Sequence, residues 1–201
     1  MDQNKHTLIP SDMISTLVLM ITLLLILLIA AVVLRSIIKK QQIIGRPPVP
    51  VVYFLLAKFL VMVNLAFLLV KGLNIKGFTV FAPGLYTDIA ALAFLITGTV
   101  ILFISTFKLN KDLIFGLSTS GDHKLQTKGI FSISRHPFYL GFILILFSSC
   151  LFNPHYINIL AFAGAWIIHH FIMIREEQFL TAQYGEEYRQ YARRVKRYII
   201  F

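Results

Sequence analysis

Three short stretches of this sequence combine residue types that could do chemistry. The first is Arg135-His136-Pro137-Phe138-Tyr139-Leu140-Gly141. Pro137 suits the first turn of a helix, where a missing N–H costs nothing. Arg135 and His136 then stand just ahead of a helix N-terminus, whose free backbone N–H groups favour anions. Gly141 removes a side chain where another group must come close. The same residues equally describe an ordinary membrane boundary, with a basic residue, a helix-starting proline and an interfacial tyrosine. The second stretch is Arg175-Glu176-Glu177, placed by the apolar pattern at a helix C-terminus. Carboxylates there oppose the helix dipole, so a cation, either Arg175 or a ligand, should hold them. His169, Ile172 and Glu176 fall on one helical face at spacings of three and four. The neighbouring pair His169-His170 reads as packed core histidines or as site residues. As a zinc site it is weak, because adjacent helical residues diverge by about 100° and no third ligand is suitably spaced. The third stretch is the loop from Gly121 to Phe131, with Asp122, His123, Lys124, Leu125, Gln126, Lys128 and Gly129. Its two glycines and many backbone donors suit it to wrap a small polar molecule, although it lacks the spacing of a phosphate-binding loop.

These stretches need elements to carry them, and composition says where those elements lie. Of the 201 residues, 57% are hydrophobic and only 14% charged. That leaves too little polar material to cover a soluble domain of this size and points to a membrane protein. Five apolar segments follow, at about residues 13–34, 48–70, 85–107, 138–152 and 157–174. The first is about 22 residues, or about 33 Å of helix, enough to cross a bilayer. Arg35, Lys39 and Lys40 follow it where a cleaved signal would need small residues, so it is expected to be retained. Pro47-Pro48 predicts the start of the second. The fourth is short for a full crossing, and Asn153-Pro154-His155 turns it into the fifth as a helical hairpin. Beyond it, Phe179, Leu180, Tyr184, Tyr188, Tyr191 and Val195 recur at helical spacing among basic residues, with Gly185 as a break. This predicts a continuing helix and then an amphipathic helix lying along the headgroups. The expected fold is all-α, with about five transmembrane helices and an amphipathic tail helix. It divides into three N-terminal spans (1–107) and a C-terminal core of loop, hairpin and tail (108–201).

The net charge of +10 would suggest nucleic acid in a soluble protein. Here the basic residues flank apolar spans, so anionic lipid and topology account for them and no nucleic-acid partner is expected. Fifteen of the nineteen lysines and arginines fall in the loop after span one, the loop after span three and the tail, against three on the other side. The positive-inside rule puts the N-terminus outside and the C-terminus in the cytoplasm, in an inner (plasma) membrane. All three chemical stretches then face the cytoplasm. Lys58 and Asn64 lie within the second span, where a charged residue is by default a functional candidate. The single cysteine, Cys150, excludes an intrachain disulfide.

The order Leu125, Gly129, Phe131, then Arg-His-Pro-x-Tyr-x-Gly, then an apolar hairpin, then Glu176-Glu177 and Tyr184-Gly185-Glu186-Glu187-Tyr188 resembles the isoprenylcysteine carboxyl methyltransferase family and its phospholipid methyltransferase relatives. The resemblance covers about residues 108–201. It implies a cytoplasmic S-adenosylmethionine site in which His123, Lys124, Leu125, Gln126 and Phe131 line the adenosine and its approach. His136, Pro137, Phe138 and Tyr139 would contact the ribose and methionine portion, and Glu176 would hold the methionine ammonium. Two positions depart from the family pattern. Phe131 stands where a tyrosine is usual, and Ile172 where the better-known members have an arginine that meets the substrate carboxylate.

A sulfonium methyl is already activated, so its transfer needs in-line approach and desolvation more than acid–base machinery. An amine or thiol acceptor would also have to lose a proton, for which His169 and Glu177, with Arg175 nearby, are the candidates. The expected activity is S-adenosylmethionine-dependent methylation of a lipophilic carboxylate, thiol or amine, either a small molecule or a lipid-modified substrate drawn from the bilayer. Ile172 would border the acceptor. Two other classes fit in part. One is an NADPH-dependent membrane enzyme like the sterol reductases, for which the loop offers only Lys124 and Lys128 as phosphate-binding cations. The other is a non-catalytic membrane assembly or transport protein.

Overall fold

A computed structural model describes residues 11–39, 48–109 and 125–199. Among them every regular element is helical: α1 (Ser11–Lys39), α2 (Val51–Gly72), α3 (Leu85–Leu109), α4 (Pro137–Phe152), α5 (Tyr156–Tyr184) and α6 (Glu186–Arg194), with one 3-10 turn at Gly129–Ser132. The chain is an all-α integral membrane protein. Helices α1, α2, α3 and α5 are long and apolar enough to cross a bilayer, whereas α4 is the short apolar member of the hairpin. Their outward faces are rich in exposed leucine, isoleucine and phenylalanine, as lipid contact requires.

Local signals act largely as expected, with one shift. Pro137 opens α4 at its first turn. Helix α2 begins at Val51 rather than at Pro48, because Pro50 is itself the N-cap in an extended conformation (ψ 138°), and a residue that precedes proline is pushed out of the helical region. Gly185 separates α5 from α6 at φ +56°. Helix α5 runs unbroken to Tyr184, so Glu176 and Glu177 lie well inside it. The helix dipole acts mainly on the last turn, so it does not bear on this pair.

The inner cluster is built from Ile14, Val18 and Leu25 of α1, Leu68 of α2, Ala91, Leu95 and Leu102 of α3, and Ile145 and Phe152 of α4. Helix α4 packs most closely on α3, where two glycines meet. A Cβ on Gly141 would lie 2.7 Å from the Gly98 carbonyl oxygen and 2.7 Å from the Leu102 nitrogen. The group that must come close to Gly141 is therefore the α3 backbone. Asn64 is absorbed into packing. Its side chain donates to the Leu60 carbonyl (3.0 Å), and its own carbonyl accepts from the Ser149 hydroxyl (2.9 Å). At the hairpin turn the Asn158 amide donates to the Ser149 and Asn153 carbonyls, and the Asn153 side chain donates to the Phe67 carbonyl at 2.8 Å. This end fixes the hairpin against α2, so α2 and α5 run antiparallel.

Candidate functional site

At the opposite end, the N-terminus of α4 faces the C-terminal half of α5. The helical spacing of His169, Ile172 and Glu176 does put them on one inward face. His169 and Ile172 are buried, and the Glu176 side chain is 19% exposed. The Tyr139 hydroxyl donates to Glu176 Oε1 at 2.7 Å. His136 Nδ1 lies 3.9 Å from Glu176 Oε2, beyond hydrogen-bond distance. Among the described residues, Tyr139 supplies the one hydrogen bond this carboxylate receives. It is a carboxyl group largely out of water with acceptor capacity to spare.

Glu177, one residue on, is engaged on every side. Arg197 reaches it twice, from Nε to Oε1 at 3.0 Å and from a terminal nitrogen to Oε2 at 2.6 Å. His136 Nε2 is 3.1 Å from Oε1, and an Arg135 terminal nitrogen is 3.2 Å from the same oxygen. The bidentate guanidinium is the strongest geometry open to a carboxylate. It also raises the Arg197 pKa above its ordinary value, the hydrogen bond to Glu177 being the main cause.

The partner that completes this hub comes from the tail, which sequence reading missed. After α6 the chain turns back. The Lys196 carbonyl accepts from the Arg135 N–H (2.9 Å), and the Arg197 carbonyl accepts from the His136 N–H (3.3 Å) and the Ser134 hydroxyl (2.9 Å). The Tyr191 hydroxyl donates to the Phe131 carbonyl at 2.7 Å, and burial pushes its pKa up to about 12. Tyr188, Tyr191 and Tyr198 are all buried. The aromatic face of α6 therefore packs on the Arg-His-Pro segment and the 3-10 turn, while its basic residues stay exposed. The sequence signal was present in those aromatic residues: Tyr191 satisfies its hydroxyl on protein, while the Tyr188 hydroxyl is buried with no hydrogen-bond partner among the described residues.

The remaining site residues fall as follows. His169 Nδ1 is 2.7 Å from the Ala165 carbonyl oxygen, so it carries the proton, which leaves Nε2 as the lone-pair nitrogen of the neutral ring. Its ring lies 5.9 Å from that of Tyr139 and 5.2 Å from that of Phe142. His170 points elsewhere, to the Tyr198 hydroxyl at 3.2 Å. Arg175 is exposed and bonds Gln178 at 3.3 Å. Pro137 is buried, and Phe138 packs toward the inner cluster beside Phe142. Phe131 is buried under α6, while Leu125 and Gln126 are half-buried just before the 3-10 turn. His123 and Lys124 lie outside the described residues.

The sequence model of the family described as phospholipid methyltransferase matches residues 86–187, from the start of α3 into α6. This chain belongs to the phospholipid methyltransferase family. The matched span contains both helices that carry Tyr139 and Glu176, together with the Gly98–Gly141 crossing. Within this family the chain is similar to methanethiol S-methyltransferase 1 of Bradyrhizobium diazoefficiens, 32% identical over 56% of this chain and 41% of the relative. It is also similar to protein-S-isoprenylcysteine O-methyltransferase B of Arabidopsis thaliana, 38% identical over 36% of this chain and 38% of the relative. A third relative is the protein-S-isoprenylcysteine O-methyltransferase of Schizosaccharomyces pombe, 31% identical over 37% of this chain and 32% of the relative. The chain thus spans less than half the length of these curated relatives. No solved structure matches it.

Proposed function

We propose that this chain is an S-adenosylmethionine-dependent methyltransferase acting on a lipophilic acceptor at the cytoplasmic membrane face, with a thiol preferred over a carboxylate or amine. The observation that carries the reading is Glu176, a carboxylate held in a protein interface by a single hydroxyl. The residues fit a cationic donor. An ammonium would find Glu176 Oε2 uncommitted, and Tyr139 and His136 would flank it. By resemblance, Phe131, Leu125, Gln126, His123 and Lys124 would line the adenosine side, with Pro137 and Phe138 beside the ribose. The bound donor supplies an activated methyl on a sulfonium sulfur.

The chain's own residues would do the rest. Glu177 positions His136 through the hub it forms with Arg135 and Arg197. Tyr139 orients Glu176, and the apolar faces of α4 and α5 exclude water, which strengthens each charge interaction. The thiol preference rests on Ile172. It is 1% exposed on the face shared with Glu176, and it offers no cation to a substrate carboxylate. That the first relative is named a methanethiol S-methyltransferase agrees with this preference. The relatives reported above are all named methyltransferases, so the reductase and non-catalytic readings draw no support from them. The cytoplasmic placement rests on the excess of basic residues on the side that carries the site.

The test is methyl transfer by purified protein in detergent, comparing a long-chain alkanethiol, a farnesylcysteine analogue and an aminophospholipid, for wild type and Ile172→Arg. We expect the thiol to be methylated by wild type and the farnesylcysteine only by Ile172→Arg. Efficient methylation of farnesylcysteine by wild type would remove the thiol preference. Binding of NADPH in place of S-adenosylmethionine would remove the methyltransferase reading itself.

A further inference from the structure

Helix α2 contributes a charge that no account of the α4–α5 site has used. Val61 of α2 and Ala165 of α5 belong to one buried cluster, and Leu60 of α2 fills the space in front of Gly164. Because α2 and α5 are antiparallel, one turn further toward the Glu176 end brings Lys58 level with His169. Lys58 lies between the buried residues Phe54, Ala57 and Val61 and is itself only partly exposed. Helical side chains lean toward their own N-terminus, and for α2 that direction leads toward Glu176. The ammonium sits 4.9 Å from the centroid of the Phe54 ring, and its charge acts on both Glu176 and His169 across the interface.

We propose that Lys58 is the acceptor-site cation, the group that stabilises the anionic sulfur of a thiol substrate beside His169. This rests on the methyltransferase reading above. It places the positive charge that Ile172 lacks on a neighbouring helix. A cation beside a thiol lowers its pKa and raises the thiolate fraction, and the effect is stronger where water is excluded. The step balances as follows. The acceptor S–H bond breaks and its proton passes to water. The thiolate sulfur then forms a new bond to the methyl carbon as the donor's sulfonium C–S bond breaks, and that bond's electron pair leaves a neutral thioether. Among the described residues, the titratable groups of this site are Tyr139 and His136 from α4 and His169 and Glu176 from α5. The described inward face of α1 (Ile14, Ser15, Val18, Thr22, Leu25) is uncharged.

The alternative role for Lys58 is that of a fixed counter-charge for Glu176, and the experiment separates the two. S-adenosylmethionine affinity is measured by calorimetry, and methylation of a long-chain alkanethiol is followed across pH, for wild type, Lys58→Met, Lys58→Gln and Lys58→Arg. The neutral variants should bind the donor within about twofold of wild type, lose about tenfold or more in kcat/KM at neutral pH, and show a pH–rate profile moved up by about one unit. Lys58→Arg should keep most of the rate, which would exclude a purely structural role for the lysine. Donor affinity that falls in step with the rate, or a pH profile that does not move, would overturn the assignment. Wild type that binds no S-adenosylmethionine would instead refute the function on which it rests.

Discussion

At one end of the bundle Asn158 gives its amide hydrogens to Ser149 and Asn153 and takes the Ser149 hydroxyl on its own oxygen. At the other end, Glu176 receives one hydroxyl from Tyr139 and holds its second oxygen 3.9 Å from the nearest ring nitrogen of His136. Both are polar groups taken largely out of water, and a bilayer protein must satisfy such groups internally. Asn158 does so and is a device for fixing the hairpin. The Glu176 end stops short of completion, while Glu177 beside it is oversupplied. An incomplete polar cluster next to a complete one marks where a ligand, and not the chain, finishes the network.

The comparison is broken or sharpened by substitutions at each end, taken here in falling order of effect. Asn158→Leu removes the hydrogen bonds its amide gives to the Ser149 and Asn153 carbonyls and takes from the Ser149 hydroxyl, leaving each carbonyl only its backbone N–H partner, a loss of about 3 kcal/mol. Thermal unfolding in detergent should move down by several degrees while the affinity for S-adenosylmethionine stays unchanged. A loss of affinity without a loss of stability would mean that the two ends are not independent. Arg197→Met removes both guanidinium hydrogen bonds from Glu177 and should lower stability by about 1.5–2 kcal/mol. Because His136 loses its fixed partner, donor binding should weaken as well, so this variant alone should affect both readouts. An unchanged unfolding curve would show that the tail clamp is dispensable. Arg175→Gln changes an exposed residue bonded only to Gln178 among the described residues. Stability and methyl transfer should both stay within about 0.5 kcal/mol of wild type. A large fall in rate would return Arg175 to the site.

The sequence made the elements legible and left the partnerships between them hidden. Apolar run length located the helices, Pro137 and Gly185 marked their ends, and spacings of three and four put His169, Ile172 and Glu176 on one face, as found. These are local properties carried by a few adjacent residues. Two features could not be read this way because each joins distant parts of the chain: the Arg197 clamp on Glu177 across 20 residues and the Gly98–Gly141 crossing. The tail also turned inward: the Tyr191 hydroxyl donates to the Phe131 carbonyl, Arg197 pairs with Glu177, and the Lys196 and Arg197 carbonyls accept from the Arg135 and His136 N–H groups.

The most direct test of the central claim is calorimetric titration of S-adenosylmethionine into wild type and Glu176→Gln, with thermal unfolding of both in the absence of ligand. If Glu176 is an anion awaiting a cationic ligand, the substitution removes a charge-assisted contact worth about 1.5–3 kcal/mol, roughly ten- to a hundredfold in affinity. The unliganded variant should unfold at the same temperature as wild type or higher, because it no longer holds an incompletely paired carboxylate in the interface. Equal affinities, or a weakened fold with affinity intact, would show instead that Glu176 is a structural group and that the donor, if it binds, binds elsewhere.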